Sequence, residues 1–252
     1  MKDRVYCEKR GRAGQRSTPA PQSRRVAKIK RVLKENLLDV NTEISSSQRA
    51  KWSAIYAGPN YHYGFDAGPV ARRAIRYVQP LHAGRSTPSA LDVGCGEGQD
   101  IAFLCECGYQ TTGLDFVPDA ISKAEKLLEA RQLQADLHAG DLRDWNWNAQ
   151  YDLVLAVNSL QFLGGDAPAV LALVSQSVAV GGVLGFSIFA CETGSEVREG
   201  VFFIALEELL NRFDCKGEKR SWQMLETAQL WQWNTRMNAR QPFVTLIAQK
   251  LK

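Results

Sequence analysis

From about residue 47 the chain alternates short apolar runs with segments whose apolar positions recur at three- and four-residue intervals, the signature of strands interleaved with helices. Strands are predicted at Ala90–Val93, Gln110–Leu114, Asp136–Ala139, Tyr151–Val157, Val183–Phe189, Lys219–Leu225 and Phe243–Leu251. Helices are predicted at Ser47–Tyr56, Pro69–Val78, Gln99–Cys107, Pro118–Arg131, Ala167–Ser177 and Gly200–Arg212, with a turn-rich break at Gly84–Pro88. Near-continuous apolar strands alternating with helices imply a mainly parallel sheet covered on both faces, a three-layer α/β/α, Rossmann-like fold. The last two strands lack room between them for a helix. Their pairing is therefore expected to be antiparallel.

The segment before residue 47 has a different texture. Residues 1–25 are rich in Arg, Ser, Pro and Gly and carry too little apolar surface to repay their ordering, so disorder is expected. Val26, Ile29, Val32, Leu33 and Leu37 then fall at helical spacing with Lys28, Lys30, Arg31 and Lys34 between them, a short basic amphipathic helix. The organisation expected is a basic extension over 1–46 and one domain over 47–252, with no internal repeat.

Charge sharpens that division. The first 34 residues hold 12 Lys and Arg against 2 Asp and Glu, whereas the remainder holds 19 basic against 25 acidic side chains. The net charge of +4 thus belongs to the extension, and an acidic body disfavours a nucleic-acid-binding core. No run approaches the roughly 18 apolar residues that a membrane-spanning helix needs. Six scattered cysteines suit a reduced, cytoplasmic protein better than a disulfide scaffold. Cys105 and Cys107 lie about 200° apart around a helix, the three histidines are dispersed, and no metal site is expected.

The densest chemical signal is Leu91-Asp92-Val93-Gly94-Cys95-Gly96-Glu97-Gly98, where the first strand passes into a helix. Alternate glycines permit a tight turn and the close approach of a flat nucleoside to the main chain, although a strand-to-helix turn with no ligand has the same look. A dinucleotide fingerprint needs G-x-G-x-x-G, and its third glycine would fall on Gln99. The observed spacing, with Asp92 just before it, favours S-adenosylmethionine, whose ammonium a carboxylate attracts, over a pyrophosphate that it repels. Asp115 closes the second strand, where a carboxylate can accept both ribose hydroxyls. Asp141 closes the third and can accept from an adenine amine. Each acid alone reads as a cap or turn residue; three at successive strand ends beside a glycine loop point to one crevice.

These residues, with the strand Tyr151–Val157, Asn158 and Val180-Gly181-Gly182, resemble the class I S-adenosylmethionine-dependent methyltransferases over about residues 88–190. The resemblance implies a sheet of order 3-2-1-4-5-7-6 with strand 7 antiparallel, Asn158-Ser159 near the reactive methyl, and a cofactor site of Asp92, Gly94, Cys95, Gly96, Gly98, Asp115, Phe116, Asp141, Leu142 and Asn158. Trp52–Tyr63, Val201–Phe213, Trp222–Leu225 and Phe243–Lys250 are similar to the small methyltransferases of tellurite-resistance type. Such proteins tend to carry an acid and a histidine between the last two strands. Here Ala228-Gln229-Leu230-Trp231-Gln232-Trp233 stands there, which counts against a metalloid oxyanion substrate.

Methyl transfer from a sulfonium is an in-line displacement that positioning and water exclusion can accelerate without a base. For a hydroxyl acceptor a base is needed, and His62 or Glu192 is a candidate; a histidine in an aromatic segment is also an ordinary packing residue. Gln161 is a candidate substrate contact and, beside His62, a candidate catalytic residue. Tyr56, Tyr61, Tyr63 and Phe65 are candidate lid residues for a cationic ligand, and Tyr61, Tyr63 and Trp231 candidate substrate contacts, with plain packing as the competing reading. The Trp145/Trp147 and Trp231/Trp233 pairs read as same-face neighbours on a strand. An Asn/Asp-Pro-Pro-aromatic run, typical of amino-methyltransferases of adenine or glutamine, is absent after Val157. The function expected is therefore transfer to a small-molecule acceptor. An RNA or protein methyltransferase recruited through the basic extension, or a catalytically silent cofactor-binding module, is the alternative.

Overall fold

The computed structural model describes residues 46–78, 87–191, 200–213, 220–234 and 239–252, all within a unit spanning Asn41–Lys252. The extension over 1–46 apart from Ser46, with its basic amphipathic helix, and Glu192 lie outside the described residues. Seven strands form one sheet: β1 (Ser89–Val93), β2 (Gln110–Asp115), β3 (Asp136–Ala139), β4 (Tyr151–Val157), β5 (Val178–Phe189), β6 (Trp222–Asn234) and β7 (Ala239–Lys250). Their spatial order is β3-β2-β1-β4-β5-β7-β6. The first five pair in parallel, while β7 runs antiparallel to both β5 and β6. The helices are α1 (46–56), α2 (Pro69–Val78), α3 (Gln99–Glu106), α4 (Pro118–Ala130), α5 (Ala167–Gln176) and α6 (Leu206–Arg212), with a 3-10 helix at Leu160–Asp166.

Alternation along the strands divides the core into two layers. Val154 and Ala156 of β4, with Leu184, Phe186 and Ile188 of β5, face Val170 and Val174 of α5. Leu153 and Leu155 of β4 and Val183 of β5 face the opposite way, onto Ala71, Ala74, Ile75 and Val78 of α2. Both faces are covered, which is why these strands read as unbroken apolar runs. Pro69 opens α2 at its first position, and Val70, Ala71, Ala74, Ile75 and Val78 are buried while Arg72 and Arg76 stay on the other side. α1 sets Trp52, Ile55 and Tyr56 against Phe116, Val117 and Ala120, at the passage from β2 to α4.

The structure corrects several of the expectations from sequence, and β7 begins at Ala239 rather than Phe243. β5 begins at Val178 rather than Val183, because Val178 pairs with Tyr151 and the ladder then shifts register before Leu153↔Val183, next to Gly181 at φ 84°. α6 begins at Leu206 rather than Gly200; Phe202 N donates to Gln161 O (2.8 Å) and Ile204 N to Phe189 O (3.2 Å), so that stretch spends its backbone groups elsewhere. β6 runs on to Asn234 instead of ending at Leu225, so Ala228–Trp233 lie within the strand, paired with β7, rather than between the last two strands. Trp145 and Trp147 lie in the turns after β3 and not on a strand, the Trp147 indole N–H donating to Leu142 O (3.1 Å).

β7 meets β5 only as far as Phe189↔Phe243, whereas its pairing with β6 continues to Asn234↔Ala239. A two-stranded ribbon therefore continues beyond the end of β5, on the side where the parallel strands finish. Between β1 and β4 the chain order diverges in opposite directions, which opens a crevice at the carboxyl ends of those strands.

Candidate functional site

The loop after β1 turns back at once, the Gly94 and Cys95 amides both donating to Leu114 O (2.7 and 3.1 Å). Gly94 and Gly98 adopt φ of 75° and 84°, left-handed conformations that side chains resist. A Cβ on Gly94 would lie 2.3 Å from Ser159 Cβ, and one on Gly98 would lie 2.6 Å from Ala124 Cβ. At these two positions the lack of a Cβ makes room for the segment after β4 and for α4, a packing reason that the sequence did not disclose.

A cavity of about 460 Å³ opens beside that loop. Asp92, Gly94, Cys95, Gly96, Asp115, Phe116, Asp141, Leu142 and Asn158 all line it; Gly98 does not. Asp115 is 6% exposed, and its two oxygens accept from Gly96 N (3.0 Å) and Val117 N (2.9 Å). Burial raises its pKa, against the pull of those amides. Asp92, 3% exposed, is pushed well above the ordinary carboxylate range by burial and then by the neighbouring carboxylates of Asp100 and Asp115. Asp100 is an acid that sequence reasoning missed, because an acid in the first turn of a helix reads as a partner of the helix dipole. It lines the cavity, accepts from Gly68 N (2.6 Å), and is raised by burial. Three buried carboxyls on one cavity make a site that favours a cation.

Asp141 differs. Arg143 Nε and Nη2 grip its two oxygens (2.9 and 2.6 Å), and Arg143 Nη1 reaches Asp166 (3.3 Å). Burial alone would raise Asp141, yet the Arg143 hydrogen bonds outweigh it and hold the carboxyl below its usual range. Asn158, at φ 54°, accepts from Ser187 Oγ (2.9 Å).

The roof comes from segments upstream of β1. Gln48, Trp52 and Tyr56, four residues apart on α1, line the cavity from one helix face. Trp52 stacks on Tyr56 (centroids 5.6 Å apart) and meets Phe162 edge-on (5.1 Å). Burial, then Asp115, drives the Tyr56 hydroxyl pKa far upward, so it stays protonated. After α1, residues 57–68 form a strap that meets α4 at Lys123 and at Arg131 beyond its end, and the start of α3 at Asp100. Glu97, fully buried, accepts from His62 N (2.6 Å), Tyr63 N (3.2 Å) and Lys123 Nζ (2.9 Å). Lys123 Nζ also donates to Asn60 O (2.6 Å), while Tyr61 Oη donates to Lys123 O (2.8 Å).

The other candidates are dispersed. Tyr63 lines the cavity, whereas Tyr61 packs on Lys123 and Phe65 is exposed. The structure does not bring His62, Gln161 or Trp231 to the cavity lining. His62 is exposed beside Tyr63 (4.6 Å), because its backbone rather than its ring is what Glu97 holds. Gln161 is fully buried at the start of the 3-10 helix, with Phe202 N bonded to its carbonyl, and its amide lies inside the protein. Trp231 is 46% exposed on β6, on the face opposite Leu230, which does line the cavity.

Residues 90–182 match the protein-family model described as a methyltransferase domain. The sheet order is the one that the resemblance to class I S-adenosylmethionine-dependent methyltransferases implies. Among solved structures the chain is similar to TehB from Haemophilus influenzae, at 21% identity, TM-score 0.57, over 69% of this chain and 61% of that one. It is also similar to the N-methyltransferase NodS from Bradyrhizobium japonicum WM9, determined with S-adenosyl-L-homocysteine, at 16% identity, TM-score 0.59, over 81% and 98% of the two chains. A curated relative, hemagglutinin 1 of Eikenella corrodens, is 29% identical over 112 residues, 44% of this chain; the match spans about a third (35%) of that protein's length. Among the described residues no helix is long and apolar enough to cross a membrane.

Proposed function

We propose that this cavity binds S-adenosylmethionine and that the enzyme passes its methyl group to a small-molecule acceptor. The observation that carries the reading is the set of three buried carboxyls, Asp92, Asp100 and Asp115, on one cavity at the strand ends. The lining also fits such a ligand in its uncommitted polar atoms: Gln48 Oε1, Trp52 Nε1, Gln99 Oε1 and Ser159 Oγ are buried there without a hydrogen-bond partner. In this reading Asp115 accepts from the ribose hydroxyls with the lone pairs its two amides leave free, and Asp92 takes the ammonium. Leu142 and Phe116 flank the base near Asp141. Tyr56 and Trp52 offer aromatic faces to the cation.

The cofactor supplies an activated methyl on a positively charged sulfur. The acceptor's lone pair forms the new bond to carbon as the carbon–sulfur bond breaks, and the sulfur keeps that electron pair as a neutral thioether. The acceptor's proton, where it has one, leaves to solvent. What the chain contributes is orientation and exclusion of water, through the α1 roof and the Asn158-Ser159 segment. The direct test uses methyl-labelled S-adenosylmethionine with fractionated metabolite pools, for the full chain and for a form lacking residues 1–46. Label is expected in a small molecule with either form. Transfer only to RNA or protein, or only with residues 1–46 present, points to the alternative acceptors, and binding without transfer points to a silent module.

Proton linkage gives a second check. Burial holds Asp92 protonated to higher pH than an exposed carboxyl, and an ammonium beside it favours the ionised form. The complex then binds fewer protons than the free protein, so affinity for S-adenosylhomocysteine rises as pH rises through the displaced range, with proton release. Calorimetry in two buffers of different ionisation enthalpy measures that release. Identical heats in both buffers would contradict the Asp92 assignment.

A further inference from the structure

Glu97 lies between two of the loop glycines, yet its side chain is directed away from the cavity. It is fully buried, and its carboxylate holds Lys123 Nζ together with the amides of His62 and Tyr63. Lys123, on α4, holds the same strap through Asn60 O and Tyr61 Oη. A buried ion pair is weak grounds for stability, because well-packed apolar residues of similar volume commonly do as well. What an apolar pair cannot do is accept two backbone N–H groups, and those two belong to the strap residues next to and at Tyr63, which lines the cavity. One residue earlier, Gly96 N donates to Asp115. The loop is thus tied on one side to the acid of the β2 end and on the other to the strap.

We infer that Glu97 and Lys123 are positioning residues: a buried clasp that fixes the strap, and with it Tyr63, against the cavity, so that the position of the glycine loop and the closure of the roof are coupled. This rests on the proposed cofactor reading. In physical terms, a ligand that orders the loop also orders the carboxylate that holds the strap, and a strap already held lowers what the ligand must order on binding.

The test compares the wild type with Glu97→Gln and with the double variant Glu97→Met/Lys123→Met in the full chain. Three quantities are measured: the thermal midpoint, hydrogen exchange at the His62 and Tyr63 amides, and calorimetric affinity for S-adenosylhomocysteine. The double variant removes both charges at once, so no unpaired ion stays buried; its midpoint is expected to lie close to wild type. Its two strap amides are expected to exchange at least about tenfold faster, and its affinity to fall by about tenfold, within the usual span of coupling between sites. Glu97→Gln keeps the shape and one acceptor, and gives smaller changes in the same direction. Wild-type protection and affinity in the double variant would overturn the clasp, as would faster exchange with unchanged affinity. If the double variant does not fold, the same two readings on Glu97→Gln decide. A wild type that does not bind S-adenosylhomocysteine sinks the cofactor reading instead, while the exchange arm still reports whether the clasp holds the strap.

Discussion

Gly94→Ala is expected to destabilise the protein by about 2–5 kcal/mol. Roughly 1–2 kcal/mol comes from holding a side chain at φ 75°, and roughly 1–3 kcal/mol from the overpacked contact with Ser159. The clash is with a Cβ, 2.3 Å away, which no rotamer change can move aside. Gly108 makes an informative control, having φ 85° and nothing within 4 Å of an added Cβ. Gly108→Ala should show the conformational share alone, about 1–2 kcal/mol. Urea unfolding of the two variants separates the shares; equal losses would mean that the Ser159 contact carries nothing. Adding Ser159→Gly to Gly94→Ala should recover the contact share and leave the conformational one.

Asp115→Ala is expected to weaken S-adenosylhomocysteine binding by about 1–3 kcal/mol, or roughly 5- to 150-fold, the usual cost of losing a charged hydrogen-bonding partner. Two effects on the fold oppose each other in this variant. The Gly96 and Val117 amides lose their acceptor, which destabilises, while a buried carboxyl is removed, which relieves desolvation. Stability should therefore change less than affinity. Calorimetry beside an unfolding curve distinguishes them, and unchanged affinity in a folded variant would refute the ribose assignment.

Much of the architecture was legible because burial on both faces writes itself into the strands. β3 and β4 match their expected limits, and the order implied by the family resemblance is the one observed. What failed were places where partners distant in sequence set the backbone. Val178 joins β5 through Tyr151, and Ile204 is drawn out of a helix by Phe189, neither of which a local pattern can register. The strand-end acids were legible from their spacing to the glycine loop. Asp100 was not, since nothing local separates an acid facing a cavity from one serving a helix terminus. The roof was read as aromatic content only, because which of Tyr56, Tyr61, Tyr63 and Phe65 faces inward depends on the strap's path, and a carboxylate 34 residues away in sequence from Tyr63 fixes that path. Gln161 illustrates the reverse error: its position after β4 pointed to the crevice, but the 3-10 turn carries it into the interior.

The directions in which Gly94 and Gly98 face bear on how sequences of this kind should be read. Their hydrogens stand where Ser159 and Ala124 leave no space, so the motif is a demand of assembly. A descendant that had abandoned chemistry would still be held to those two glycines by packing, and to Asp115 by the two amides it accepts, while Asp92 would lose the ammonium that its burial beside two other acids is proposed to serve. Ligand use in diverged copies is better judged by the fate of Asp92 than by survival of the turn.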